Sequence, residues 1–208
     1  MKHYTSSWAP NPFKVRLAFA ELDVPAEHIE MDVKSRENRR PAFLQVNPNG
    51  RLPVIDDDGY VLWESNAILA YLGKKYPEKA LYPQGGRAEA DALRWLFYEL
   101  GTLQPPCADV WWVRWLTPRV GKGVPPAGPV DQALAGLERP LNVLNDHIRT
   151  REWMLDEFSL VDCAIAAPLL MLELSGVPMD RWGGVASYWR RWKTRSSFAA
   201  TPFTYPGE

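Results

Sequence analysis

The sequence predicts an α/β domain followed by an all-α domain. Up to about residue 75, short apolar runs of strand length alternate with helical stretches. Tyr76-Pro-Glu-Lys-Ala-Leu-Tyr-Pro-Gln-Gly-Gly86 then crowds turn formers together and interrupts the periodicity. Beyond it the pattern is helical to the end. These observations set an N-terminal domain at 1–78, a linker at 79–86 and a helical domain at 87–208.

The N-terminal elements follow from local chemistry. Lys2 to Thr5 can form a short strand. Asn11-Pro12 opens a helical pattern through Val15, Leu17, Ala18, Phe19 and Leu22, with Asn as N-cap and Pro at the first helical position. Val24-Pro25 ends it, and His28 to Val33 alternates like a strand with one buried face. Strand, helix, strand at this spacing is a βαβ unit with parallel strands. Residues 34–47 are charged and read as a loop with a short helix at Pro41 to Gln45. Two apolar runs, Pro53 to Ile55 and Tyr60 to Trp63, flank Asp57-Asp58-Gly59, a hairpin signal. Pro53 should open a strand or sit in a cis turn, leaving the Leu52 backbone with unpaired groups that an extended peptide could use. Ser65 is a natural N-cap for a helix over Asn66 to Leu72, and its hydroxyl and the first helical N–H groups could meet an anion. The order βαβ–α–ββ–α is that of a thioredoxin-like domain.

In the second half, a helical run extends from about Ala88 to Leu116, with Pro105-Pro106 a kink or break. Thr117 to Pro129, dense in proline and glycine, reads as a loop, and another helix should cover Asp131 to Ile148. Ser159 and Asp162 have capping-box spacing ahead of the apolar run Cys163 to Leu174, with Asp in place of the usual Glu or Gln. A last helix runs through Tyr188 to Trp192 towards Phe198.

Composition narrows the function. An apolar fraction of 46% supports a substantial core. A net charge of -1 gives no electrostatic case for nucleic acid or an anionic membrane. Met1 to Ser7 lacks the apolar run of a signal peptide, and no stretch is long enough to span a bilayer. Cys107 and Cys163 lie far apart, without metal-ligand spacing. A cytoplasmic protein without a metal is the expectation.

Asn47-Pro-Asn-Gly-Arg-Leu-Pro-Val-Ile55, followed by Glu64-Ser-Asn-Ala-Ile68, resembles the glutathione-binding half of the cytosolic glutathione transferases. The resemblance implies that the Leu52 backbone, before a cis Pro53, pairs with the cysteinyl unit of glutathione. It implies that Glu64 and Ser65 hold the ammonium and α-carboxylate of the γ-glutamyl unit. Ser159-x-x-Asp162 is similar to the family's helix-capping motif, so Asp162 is expected to serve folding. A homodimer, a small-molecule electrophile as second substrate and a detoxification role are also implied.

Such a transferase must hold a thiol as thiolate. A free thiol, with a pKa of about 8.5, is only slightly ionised at neutral pH, and each unit of depression takes about 1.4 kcal/mol of preferential interaction. The family places a Tyr, Ser or Cys after the first strand. Aligning Lys14-Val-Arg16 with the similar K-V-R of serine-type members puts the usual serine at Ala9 and a nearby cysteine at Pro12, and neither side chain can polarise a thiol. The candidate donors are Asn11, in a Pro-Asn pair resembling bacterial members, then Ser7 and Ser6, with Tyr4 less able to reach. For the glycyl carboxylate, Asn38 occupies a position often held by histidine, with Arg39 and Lys34 as alternatives. Trp95, Phe97, Tyr98, Trp111, Trp112 and Trp115 form an aromatic run that is core, subunit interface or electrophile pocket. Conjugation of the thiolate to apolar electrophiles is the leading expectation. A glutathione-dependent disulfide exchange enzyme or isomerase is the second, and a non-catalytic glutathione-binding module the third.

Overall fold

The computed structural model describes residues 1–121, 123 and 127–207. The chain divides into two compact units, residues 1–84 together with 195–207, and residues 85–194. Residues 195–207 thus return to the first unit.

In the first unit, β1 (Lys2–Thr5), α1 (Pro10–Leu22), β2 (Glu27–Glu30), α2 (Pro41–Leu44), β3 (Val54–Asp57), β4 (Tyr60–Trp63) and α3 (Ser65–Lys75) form a thioredoxin-like domain. The sheet order is β2-β1-β3-β4, with β1 parallel to β2 and the other neighbours antiparallel. Strand alternation distributes the side chains of β1 between two layers. His3 packs on Phe19 of α1, while Tyr4 meets Phe43 of α2 edge-on. Met31, Phe43 and Val54 make the core beneath α2, and α1 buries Phe13, Val15, Leu17, Ala18, Phe19 and Leu22.

Three local expectations shift, and the hairpin turn holds. The first helix begins at Pro10 with Ala9 as N-cap, because Pro10 as well as Pro12 fits a first turn whose N–H groups go unused; Asn11 is therefore inside the helix. β2 ends at Glu30 and lies at the sheet edge with His28 and Glu30 exposed, so it buries no full face. The hairpin turn carries left-handed Asp58 and Gly59, φ 54° and 93°, as a tight two-residue turn requires. The N-cap of α3 is Glu64 rather than Ser65.

The second unit contains α4 (Gly86–Tyr98), α5 (Gln104–Trp111), α6 (Thr117–Arg119), α7 (Ala127–Ala135), α8 (Glu138–Ile148), α9 (Leu160–Leu174) and α10 (Gly183–Lys193); α11 (Ser196–Ala199) belongs to the returning segment of the first unit. Pro105 and Pro106 do not break the run. They open α5 directly after a π-helical turn, Glu99–Leu103, where an irregular ladder tolerates their missing N–H groups. Thr117 to Pro129 is not one loop, since α6 and the start of α7 lie within it; residues 122 and 124–126 fall outside the described chain. The expected helix over Asp131 to Ile148 divides at Gly136-Leu137. Pro140 has no N–H to give the Gly136 carbonyl, so a continuous ladder could not pass there.

The capping box is present. Asp162 Oδ2 accepts the Ser159 N–H (2.8 Å) and hydroxyl (3.1 Å), and Oδ1 accepts the Met154 N–H (2.8 Å) and the Tyr188 hydroxyl (2.9 Å). Asp162 thus ties α9, α10 and the preceding loop together inside the second unit.

Candidate functional site

Strand register assembles the site. Tyr4 pairs with Val54 and Val54 with Trp63, so the chain leaving β1, the residues entering β3 and the residues leaving β4 emerge at one end of the sheet. Ser6 to Asn11, Leu52-Pro53 and Glu64-Ser65 are brought together there from three distant stretches of sequence.

The Leu52–Pro53 peptide is cis and β3 starts one residue later, at Val54. Among the described residues nothing hydrogen-bonds the Leu52 N–H or carbonyl. The approach to this point is braced. Asn47 Nδ2 donates to the Arg51 carbonyl (2.8 Å), and Asn47 Oδ1 accepts the Asn49 N–H (3.0 Å). Gly50 has φ 57°, and a side chain there would come within 2.8 Å of the Asn38 carbonyl.

Asn38 is a further brace. It is buried, and its Nδ2 donates to the Gly50 carbonyl at 2.7 Å. That bond commits part of the amide expected to meet a glycyl carboxylate. Of the alternatives, Arg39 Nη1 donates to the Asn49 carbonyl (2.9 Å), and Lys34 lies over the Tyr205 ring (5.7 Å).

Glu64 occupies φ 73°, ψ 112°, an unusual conformation for a residue with a side chain, and such strain concentrates at ligand sites. Its side chain is exposed, whereas Ser65, the first residue of α3, is buried. Lys14 Nζ, fully buried in α1, approaches Ser65 Oγ at 3.5 Å. The start of α3 offers N–H groups, a hydroxyl and a nearby ammonium, a combination suited to a carboxylate.

The loop after β1 separates the thiol candidates. Ser7 is engaged: its N–H donates to Glu30 Oε1 (2.7 Å), its carbonyl accepts from Arg16 Nη2 (2.9 Å) and from the Thr204 N–H (3.1 Å), and its hydroxyl points at the Thr204 carbonyl (3.4 Å). The Ser6 hydroxyl is buried and unpartnered among the described residues. Asn11 sits in the first turn of α1, two residues after the N-cap Ala9. Because residues 10 and 12 are prolines, Asn11 alone of the first three helical positions has a backbone N–H. Tyr4 faces α2.

The aromatic run in the second unit is divided. Trp95, Trp111 and Trp115 are buried, while Phe97 (69%) and Trp112 (50%) are exposed, and the Tyr98 hydroxyl donates to the Pro140 carbonyl. Arg114 is exposed. Cys107 and Cys163 are buried cysteines outside any disulfide, and burial pushes the Cys107 thiol well above its ordinary pKa. No described helix is long and apolar enough to cross a membrane, and no described cluster could hold a metal ion.

In the thioredoxin-like domain a cis-proline strand entry thus lies beside the start of α3. Residues 1–74 match the glutathione S-transferase N-terminal domain. Glutathione S-transferase 3 of Zea mays is 28% identical over 214 residues, covering 99% of this chain and 95% of its own. A Pseudomonas putida glutathione transferase, solved with one glutathione disulfide per subunit, superposes with a TM-score of 0.86 at 25% identity, covering 99% of this chain and 91% of its own. A glutathione transferase family member from Pseudomonas fluorescens, solved with two glutathiones bound, gives 0.84 at 25%, covering 96% and 91%. Residues 1–74 thus form a glutathione S-transferase N-terminal domain, and the chain is similar to glutathione transferases over almost its whole length.

Proposed function

We propose that the protein binds glutathione at the sheet end and transfers its thiolate to apolar electrophiles. The observation that carries this reading is the convergence of an unpaired Leu52 backbone with the Glu64-Ser65 helix start. The Leu52 N–H and carbonyl pair with the cysteinyl unit, Ser65 and the first N–H groups of α3 take the γ-glutamyl carboxylate, and Glu64 takes its ammonium. Asn38 is proposed for the glycyl end only through the part of its amide not committed to Gly50.

The thiol then lies towards Asn11, whose amide or backbone N–H stabilises the thiolate, with Ser6 as second donor and Ser7 placed last by its existing bonds. The thiol proton leaves to solvent. The sulfur lone pair forms the C–S bond while the electrophile's leaving group departs with its electron pair, or while a polarised double bond takes up the electrons. A cytoplasmic homodimer with a detoxifying role belongs to this proposal. The exposed Phe97 and Trp112 fit its subunit interface.

Disulfide exchange is a second reading, favoured by the glutathione disulfide and the paired glutathiones in the Pseudomonas relatives. With both cysteines buried, such exchange would run between two bound glutathiones. A binding module without turnover is favoured only by Ala9 and Pro12. Retention on immobilised glutathione followed by a conjugation assay with an aromatic electrophile tests the proposal. Retention with conjugation is expected. Disulfide reduction alone, or retention alone, would transfer the assignment to one of the other two readings.

A further inference from the structure

The loop that would carry the thiol donor is held chiefly through the Ser7 backbone. The Ser7 carbonyl receives two donors, Arg16 Nη2 at 2.9 Å and the Thr204 N–H at 3.1 Å, while Glu30 Oε1 accepts its N–H at 2.7 Å. Arg16 Nη1 reaches the Pro202 carbonyl at 2.9 Å. One guanidinium therefore joins the loop after β1 to the segment after α11. Aromatic contacts continue the seam: Trp8 meets Tyr205 edge-on (5.3 Å between centroids), and Phe13 meets both Phe198 (6.0 Å) and Phe203 (6.2 Å). Further back, Arg195 forms a two-branched ion pair with Glu21 (2.6 Å each), and the Ser197 hydroxyl bonds the same carboxylate.

We propose that residues 202–205 near the C-terminus, bolted through Arg16, are a working part of the thiol loop and position Asn11 against the sulfur. This inference rests on the transferase reading. A loop whose helix start supplies one N–H in its first three positions gains little anion stabilisation unless that group is held in place. The planar guanidinium suits the task because its fork spans two carbonyls at fixed separation, which a lysine ammonium cannot reproduce. Burial lowers the Arg16 pKa to about 10, which still leaves the side chain cationic at neutral pH. Arg16 and Thr204 are positioning residues, acting on the sulfur only through the Ser7–Asn11 backbone.

The test uses the 208-residue chain with Arg16→Gln, Arg16→Lys and Thr204→Pro, the last removing one N–H donor and leaving Arg16 in place. The ionisation of bound glutathione is followed by ultraviolet titration of the thiolate, and peptide docking by the affinity for S-methylglutathione, which cannot ionise. The expected result is a severalfold loss of thiolate at neutral pH in Arg16→Gln and Thr204→Pro, partial recovery in Arg16→Lys, and S-methylglutathione affinity within about twofold of wild type. A thiol pKa unchanged in Thr204→Pro overturns the proposal even if Arg16→Gln fails to fold. Equal losses of S-methylglutathione binding and thiolate also overturn it, because the segment would then only support the fold. Wild-type complex titrating like free glutathione would instead defeat the transferase reading itself.

Discussion

His3 Nδ1 and His28 Nδ1 face each other at 2.9 Å across the in-register pair of β1 and β2. One nitrogen must donate and the other accept, so two imidazolium rings do not fit. Burial, then the neighbouring His28 and Arg16 charges, holds the His3 pKa well below its usual value, and burial followed by Arg16 lowers that of His28. Below pH ~6.5 the unfolded chain therefore binds protons that the folded chain refuses. The stabilisation is complete above that pH and is lost as pH falls through it. Urea unfolding of wild type and His3→Phe on both sides of pH ~6.5 is the check. The stability difference between the two proteins should shrink on the acid side by about 1 kcal/mol or more; a pH-independent difference would count against the pair.

Asp162 should matter for stability and not for chemistry. Asp162→Asn turns an NH2 donor towards groups that already donate, and should cost about 3 kcal/mol with the glutathione affinity of surviving folded protein unchanged. Burial raises the Asp162 pKa to about 6, against the pull of the four hydrogen bonds. The folded carboxyl thus takes up a proton more readily than the unfolded one, so its contribution declines as pH rises from about 4 to about 6 and is constant above. Thermal melts of the two proteins across that window measure both effects.

Ser65→Ala separates binding from folding at the start of α3. Ser65 is the first helical residue and not the cap, so the cost in folding is confined to the 3.5 Å contact from the buried Lys14 Nζ, about 1 kcal/mol. Loss of a hydroxyl donor to a carboxylate should weaken glutathione binding about tenfold or more. Calorimetry on the variant decides, and unaltered affinity would remove Ser65 from the site.

Asn11→Ala and Ser7→Ala should behave differently. Removing the Asn11 amide is expected to raise the pKa of the bound thiol by about one unit, equivalent to about 1.4 kcal/mol. Ser7→Ala removes only a 3.4 Å bond to the Thr204 carbonyl and should leave the titration nearly unchanged. The reverse pattern would exchange their roles.

What could be read from the sequence was what local chemistry dictates. The Asp57-Asp58-Gly59 turn, the proline at the head of β3 and the Ser159–Asp162 box each specify their own structure within a few residues. The helix starts fall two positions before Asn11 and one before Ser65 because the actual N-caps, Ala9 and Glu64, make no side-chain cap and so carry no capping signal. The π turn before Pro105 had no local signal. The Arg16 bridge between Ser7 and Pro202 is beyond reach, since both of its bonds go to backbone carbonyls and the two acceptors lie far apart in the chain. The Asn38 brace is equally silent in the sequence: its partner is the Gly50 carbonyl, which no residue type announces.

The claim on which the rest depends is that an extended tripeptide docks where β3 begins and α3 starts. Isothermal titration of the wild-type protein with reduced glutathione up to millimolar concentration tests it most directly. A saturable heat at one site per chain, weakened in Ser65→Ala, is the expected result. Absence of any heat, with no shift in melting temperature at the same concentration, would contradict it.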